Sequence, residues 1–263
     1  MPVFMIGTQR SGSNLLRLML NQIPALVAPH PPHVMERLMP LLDRYGDLTL
    51  ADNFAQLVED VCRLVETNPV PWEGVTLNRA DVTRRCRQPV LAAVYGAVHD
   101  ILAETQGKQD WLCKSLANVH YLDELEAYFA QPKYLYLYRD GRDVALSFSK
   151  AIVGEKHFYP IAQQWHKEQQ LALKLQGQMP ATRFFAASYE QLTAEPEPVL
   201  RRMCDFLGVE FHPEMMEFHT SKEASRTAQS GAMWANVKNP VMSGNSRKYL
   251  KEVSEAEIRA FET

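Results

Sequence analysis

Two short stretches of the chain concentrate residues able to bind and neutralise an anion. The first is Gly7-Thr8-Gln9-Arg10-Ser11-Gly12-Ser13-Asn14. It follows an apolar run of strand length and precedes a helical pattern. A loop in that position aims successive backbone N–H groups and the positive end of a helix dipole at one point. Arg10 adds a cation among those donors, which packing does not require and a bound anion does. The second stretch runs from Tyr134 through Tyr138-Arg139-Asp140-Gly141-Arg142-Asp143 to Ser147 and repeats the strand, turn, helix plan. Arg139 ends the strand, Asp143 or a neighbour caps the helix, and Ser147 lies one turn beyond the cap. Arg139 and Ser147 therefore converge on a second anion pocket at the strand's carboxyl end. The plainer alternatives are a glycine turn with a capping serine and a solvated charged cap.

Gly7 and Gly12 keep the glycine spacing of a nucleotide-triphosphate P-loop, but Ser13 and Asn14 stand where that loop has Lys and Ser/Thr. The loop suits a phosphate and lacks the residues of Mg²⁺-ATP chemistry. A third stretch, Ala28-Pro29-His30-Pro31-Pro32-His33-Val34-Met35-Glu36-Arg37, carries three possible proton acceptors in seven residues. His33 has the unperturbed pKa best suited to general-base work near neutrality. The alternative is that His30 and His33 pack on the prolines while Glu36 pairs with Arg37. A His-x-x-His metal pair is disfavoured, because prolines fill the spacing and no third ligand is suggested.

The elements that must position these groups are short β-type runs alternating with amphipathic helical stretches, the pattern of a parallel sheet covered by helices. Strands are predicted over residues 3–6, 26–28, 111–114, 133–138 and 183–187, and helices over 14–22, 54–66, 90–105 and 120–129. The chain of 263 residues reads as one α/β domain with a helical insertion over about 40–109, on the acceptor side. A net charge of −3 gives no reason to expect nucleic-acid binding. The N-terminal apolar run lacks a basic flank and reads as a strand rather than a signal peptide, and no stretch approaches the ~20 apolar residues of a membrane span. Cys62, Cys86, Cys113 and Cys204 are too far apart for a C-x-x-C zinc pair or a disulfide framework, which fits a reducing, cytoplasmic setting. Trp165 reads first as a core anchor. Ser254-Glu255-Ala256-Glu257 open a helix so close to Thr263 that the natural chain is expected to continue.

Together the two loops resemble the sulfotransferase family, whose fold is related to that of the P-loop NTPases. The resemblance extends from Val3 to about Lys251 and includes Ser188-Tyr189-Glu190-Gln191-Leu192 followed by Phe206-Leu207-Gly208. It implies a sulfuryl donor, 3′-phosphoadenosine 5′-phosphosulfate (PAPS), leaving as 3′-phosphoadenosine 5′-phosphate (PAP), with no metal. Arg10, Ser11, Gly12, Ser13 and Asn14 would then hold the 5′-phosphosulfate, Arg139 and Ser147 the 3′-phosphate, and Tyr189 would lie near the adenine. Ser243-Gly244-Asn245-Ser246-Arg247-Lys248-Tyr249 is similar to a closing loop that would give Arg247 and Lys248 to the 3′-phosphate; a solvated basic turn is the alternative.

Many relatives have Lys where this chain has Arg10, which keeps the charge but donates a proton less readily. Lys114 ends a strand at the same sheet edge and is a further catalytic candidate. In relatives with a histidine base, that histidine sits two residues after a matching lysine; here Leu116 stands there, with Asn118 and His120 nearby. The base must come from elsewhere, and a carboxylate after the second strand in other branches favours Glu36 against His33 as the site of proton removal. The acceptor is a small molecule bearing a hydroxyl or amine, and the absence of a basic run in 40–109 disfavours a polyanionic glycan. A P-loop-type kinase, or a nucleotide-binding module that has lost its base, are the alternative functions.

Overall fold

The computed structural model of the chain describes residues 1–152 and 154–263. Five parallel strands form one sheet in the order β2-β3-β1-β4-β5, with β1 Pro2–Ile6, β2 Leu26–Val27, β3 Asp110–Cys113, β4 Lys133–Tyr138 and β5 Phe184–Ser188. All five predicted strands are present, each within a residue or so of its predicted ends. β1 is central, pairing with β3 on one side (Val3 opposite Leu112) and β4 on the other (Phe4 opposite Tyr134). The chain moves outward to β2 on one side and to β5 on the other. The crevice at the carboxyl ends of β1 and β4 is therefore the topological switch point, where open α/β sheets bind ligands.

Strand alternation divides the core into two layers. Val3 and Met5 face the cluster built with helix α1 (Ser13–Leu20), including Leu16 and Met19. Phe4 and Ile6 face the opposite cluster, which holds Leu57 and Val61 of α3 (Ala51–Glu66) and Tyr95 and Val98 of α5 (Leu91–Thr105). A short helix α2 (Val34–Leu38) follows β2, and α4 (Arg79–Arg85) lies between α3 and α5. Residues 40–109 are thus largely helical and lie between β2 and β3. Beyond β3 come α6 (Leu122–Tyr128), α7 (Gly141–Ser149), α8 (Phe158–Gln178), α9 (Tyr189–Ala194), α10 (Pro196–Leu207), α11 (Lys222–Gln229), α12 (Tyr249–Glu252) and α13 (Glu255–Glu262). Among the described residues, no helix is long and apolar enough to cross a membrane.

Trp165 lies on α8 against the small cluster of Val144, Phe148 and Ile161, with its ring centroid 5.8 Å from that of Phe261. Its indole N–H donates to the Arg139 carbonyl at 3.2 Å, so the anchor supports the β4–α7 turn from behind.

Candidate functional site

Each strand delivers a polar side chain to the same sheet edge: Arg10 after β1, His30 and His33 after β2, Lys114 after β3, Arg139 after β4 and Tyr189 after β5. Of the residues named as catalytic, Arg10, His33 and Lys114 each follow a strand by a few residues, and Glu36 lies one helical turn beyond His33. These residues line one cavity of 540 Å³, a size suited to a nucleotide-like ligand and part of a second molecule.

The β1–α1 loop is held in an unusual backbone conformation. Gly12 has φ 89°, and a Cβ placed on it would stand 2.3 Å from the Tyr189 ring. Arg10 itself has φ 71°, a conformation uncommon for a non-glycine residue. Gly12 offers α1 no side-chain cap, so the first amides of that helix remain available to an anion. Arg10 reaches across the switch point: its Nε donates to Ser147 Oγ at 3.0 Å and its Nη1 approaches Met233 Sδ at 3.8 Å.

Arg139 is buried under the same loop. Its Nη1 donates to the Arg10 carbonyl at 3.1 Å and its Nη2 to the Asn245 carbonyl at 2.7 Å, and its guanidinium lies over the Tyr189 ring at 4.3 Å. Among the described residues its Nε has no partner, and neither has the buried hydroxyl of Ser11. Asp143, completely buried, stands 3.8 Å from Arg139 and accepts the backbone N–H groups of Arg247 (2.6 Å) and Tyr249 (3.0 Å). Asp140 is the residue that caps α7, accepting from the Arg142 amide, which leaves Asp143 free to hold the C-terminal loop over the site.

Arg10 and Lys114 have no ion-pair partner among the described residues. Burial works against both charges, and Arg139 adds repulsion at Arg10. Burial, then Arg17 and Arg10, pushes Lys114 down to about 7 against the pull of Cys113 and Glu36. Unpaired buried cations together with unmet donors are what a polyanionic ligand would satisfy.

On the other side of Lys114, His33 lies at φ 59° with its Nδ1 2.8 Å from Glu36 Oε2 and 3.2 Å from Ser115 Oγ. The approach to Glu36 is an ion-pair contact and not a hydrogen bond, since Glu36 Oε2 accepts none among the described residues; a carboxylate beside Nδ1 favours the ring proton there and the lone pair on Nε2. His33, then Arg37 and Lys114, hold Glu36 below the usual carboxylate range, against the effect of burial. His33 lines the cavity; Glu36 does not.

Of the remaining predicted residues, Gly12, Ser13, Asn14, Ser147, Tyr189 and Lys248 line the cavity, while Ser11 is buried just beneath it. Arg247 joins the site through its backbone, with φ 56° and its amide on Asp143. Leu116 lines the cavity, and His120 turns away to Glu168 at 3.3 Å. None of the lining comes from 40–109; a further wall is formed by uncharged side chains of the segment 232–242, whose Lys238 is not part of the lining. Sequence reasoning missed that wall, with Met233 on Arg10 and Trp234 on His30, and it missed the partner of Asp143. No group of three His, Cys, Asp or Glu side chains suited to a metal occurs among the described residues.

A sequence profile described as the Sulfotransferase family matches residues 2–213, and the chain belongs to that family. Its fold is shared with the sulfotransferase domain from the Synechococcus PCC 7002 olefin synthase, at TM-score 0.69 and 22% identity, covering 100% of this chain and 94% of that one. The sulfotransferase domain from the curacin biosynthetic pathway is similar at TM-score 0.62 and 23% identity, covering 98% and 95%. An uncharacterized protein of Aquifex aeolicus (strain VF5) is 22% identical over 246 residues, 86% of this chain; the chain spans 28% of that relative's length.

Proposed function

We propose that the protein transfers the sulfuryl group of PAPS to a hydroxyl or amine of a small-molecule acceptor. The observation that carries this reading is the conjunction of unpaired Arg10 and Lys114 with the partnerless Ser11 hydroxyl and Arg139 Nε at the switch point. The amides of the Arg10–Asn14 loop would receive the 5′-phosphosulfate. Arg139, Ser147 and the loop bearing Arg247 and Lys248 would receive the 3′-phosphate, with Tyr189 beneath the nucleoside. The donor supplies an activated sulfur. The acceptor's lone pair attacks it, the bond from sulfur to the bridging oxygen breaks, and the electron pair leaves on that oxygen as PAP.

Arg10 and Lys114 would offset the charge that grows on the bridging oxygen and on the sulfuryl group. His33 would take the acceptor's proton on Nε2, and Glu36 would hold the ring in that tautomer and stabilise the imidazolium that forms. This divides the two base candidates into a proton acceptor and its orienting partner. We read residues 1–263 as one catalytic domain in which 40–109 supports the acceptor side from behind the cavity wall. The four free cysteines support a reducing, cytoplasmic setting.

Calorimetry with PAP and with ADP plus Mg²⁺ tests the donor assignment on the parent and on Arg139→Ala. The expected result is micromolar PAP binding without Mg²⁺, weakened at least tenfold, about 1.4 kcal/mol, by the substitution. Tighter binding of ADP plus Mg²⁺, or an unchanged affinity in Arg139→Ala, would overturn the proposal in favour of a kinase-like reading.

A further inference from the structure

His30 takes no part in the chemistry assigned above, yet it is the most firmly fixed histidine at the cavity. Asn68 Nδ2 and Trp72 Nε1 both donate to its carbonyl at 2.9 Å. Because the Asn68 amide nitrogen is committed there, Asn68 Oδ1, 3.0 Å from His30 Nδ1, is an acceptor, and Nδ1 carries the ring proton. The lone pair is left on Nε2 of a residue that is only 4% exposed, and that buried atom has no partner among the described residues. His99 also has an orphaned Nε2, but it sits among the rings of Trp72, Tyr95 and Trp111 and does not line this cavity. His30 lines the cavity, with the Trp234 ring edge-on at 5.0 Å.

We infer that His30 Nε2 is a fixed hydrogen-bond acceptor for the acceptor substrate, and that this substrate brings two hydrogen-bond donors to the site. His33 removes one proton from the attacking group, and the second donor satisfies His30. The chemical class is then a primary amine, or a hydroxyl flanked by a second hydroxyl or N–H, in preference to an isolated alcohol. Burial, then the charges of Lys114 and Arg17, hold His30 down to about 2, so it stays neutral and keeps its lone pair at any working pH. A site built around an unmet polar atom discriminates strongly against an analogue that cannot meet it. The inference rests on the sulfotransferase reading for the identity of the attacking group, while the contact itself can be tested without turnover.

The test uses protein carrying ¹⁵N-histidine, with hexane-1,2-diol and hexan-1-ol as probes, each titrated with and without saturating PAP. The expected result is a His30 Nε2 resonance that stays unprotonated from pH 5 to 9. It moves on adding the diol, with at least tenfold tighter binding than the mono-alcohol. In His30→Leu that preference falls to within about twofold. In His30→Gln, whose amide oxygen can stand near the Nε2 position, it is retained. Equal affinity for the two probes in the parent, or a His30 resonance unmoved by the diol, overturns the inference and needs no variant to fold. Failure of PAP to bind would instead remove the sulfotransferase reading, and the diol comparison without PAP would still decide the role of His30.

Discussion

Arg10 and Ser147, 137 residues apart in sequence, are joined by a hydrogen bond of 3.0 Å that spans the switch point of the sheet. The bond links the β1–α1 loop to helix α7, and the two would grip the ends of the donor. With Nε held by Ser147, the forked end of the guanidinium lies in the cavity beside Met233, without a carboxylate to neutralise it. Removing Arg10 should therefore affect the reaction and spare the fold. Arg10→Ala is expected to lower kcat/KM by roughly 10²–10³-fold, the usual loss for one charge-stabilising donor. Its urea midpoint should match the parent or exceed it, since repulsion with Arg139 is relieved. Arg10→Lys, which keeps the charge and loses the fork, should fall between them. Activity within tenfold of the parent in Arg10→Ala would separate Arg10 from the reacting atoms.

Asp143 presents the opposite case, in which site and stability are one. Its carboxylate holds two backbone amides of the C-terminal loop and faces Arg139. Truncation leaves two amides and a buried cation uncompensated. Asp143→Ala is expected to cost about 3 kcal/mol in urea unfolding and to release residues 245–249 to hydrogen exchange. PAP affinity should fall at least tenfold with them. Asp143→Asn keeps one carbonyl oxygen and should recover part of both losses. Unchanged exchange at 245–249 in Asp143→Ala would show that the loop is held by something else.

Much of this site was legible in the sequence for a geometric reason. A parallel sheet brings the carboxyl ends of all its strands to one edge, so Arg10, Lys114, Arg139 and the His33 segment could be brought together once the strands were recognised. The wall of 232–242 was not legible, because Met233 and Trp234 look like core residues in a local pattern, and their contacts to Arg10 and His30 span some 200 residues. The same holds for Asn68, a polar residue in a proline-rich loop whose role exists only because that loop folds back on the His30 carbonyl. The acceptor-side role expected of 40–109 met a different arrangement: the insertion supplies Asn68 and Trp72 behind His30 and no lining to the cavity.

Gly12 offers a steric test of the same loop. Its φ of 89° is strained for an alanine, and the added methyl would collide with the Tyr189 ring at 2.3 Å. That ring carries the Arg139 guanidinium on its face, and its hydroxyl accepts from Asn245 Nδ2 at 2.7 Å, so it has little room to retreat. Gly12→Ala should lose measurable PAP binding, along with about 1–3 kcal/mol of stability from backbone strain. Paired Gly12→Ala and Tyr189→Ala changes should recover part of the stability and little of the binding. If Gly12→Ala bound PAP as the parent does, the loop would not be the phosphosulfate site.

Lys114 makes donor binding depend on pH with a defined sign. In the free protein its pKa is held at about 7 by burial, then by Arg17 and Arg10, with Glu36 and Cys113 opposing. The unfolded chain titrates near the ordinary lysine value, so between the two pKa values the unfolded state binds more protons and unliganded stability rises with pH. A phosphosulfate or PAP beside Lys114 favours its charged form and raises its pKa in the complex. Above pH 7 binding must then take up a proton. Affinity for PAP is expected to be highest near pH 6–7, where the phosphates are still largely ionised, and to fall by up to tenfold per unit at higher pH, about 1.36 kcal/mol. Calorimetry at pH 8.5 in buffers of different ionisation enthalpy should register an uptake approaching one proton. Lys114→Met should abolish both the uptake and the slope. A pH-independent affinity in the parent, or a slope that survives in Lys114→Met, would show that Lys114 does not contact the donor.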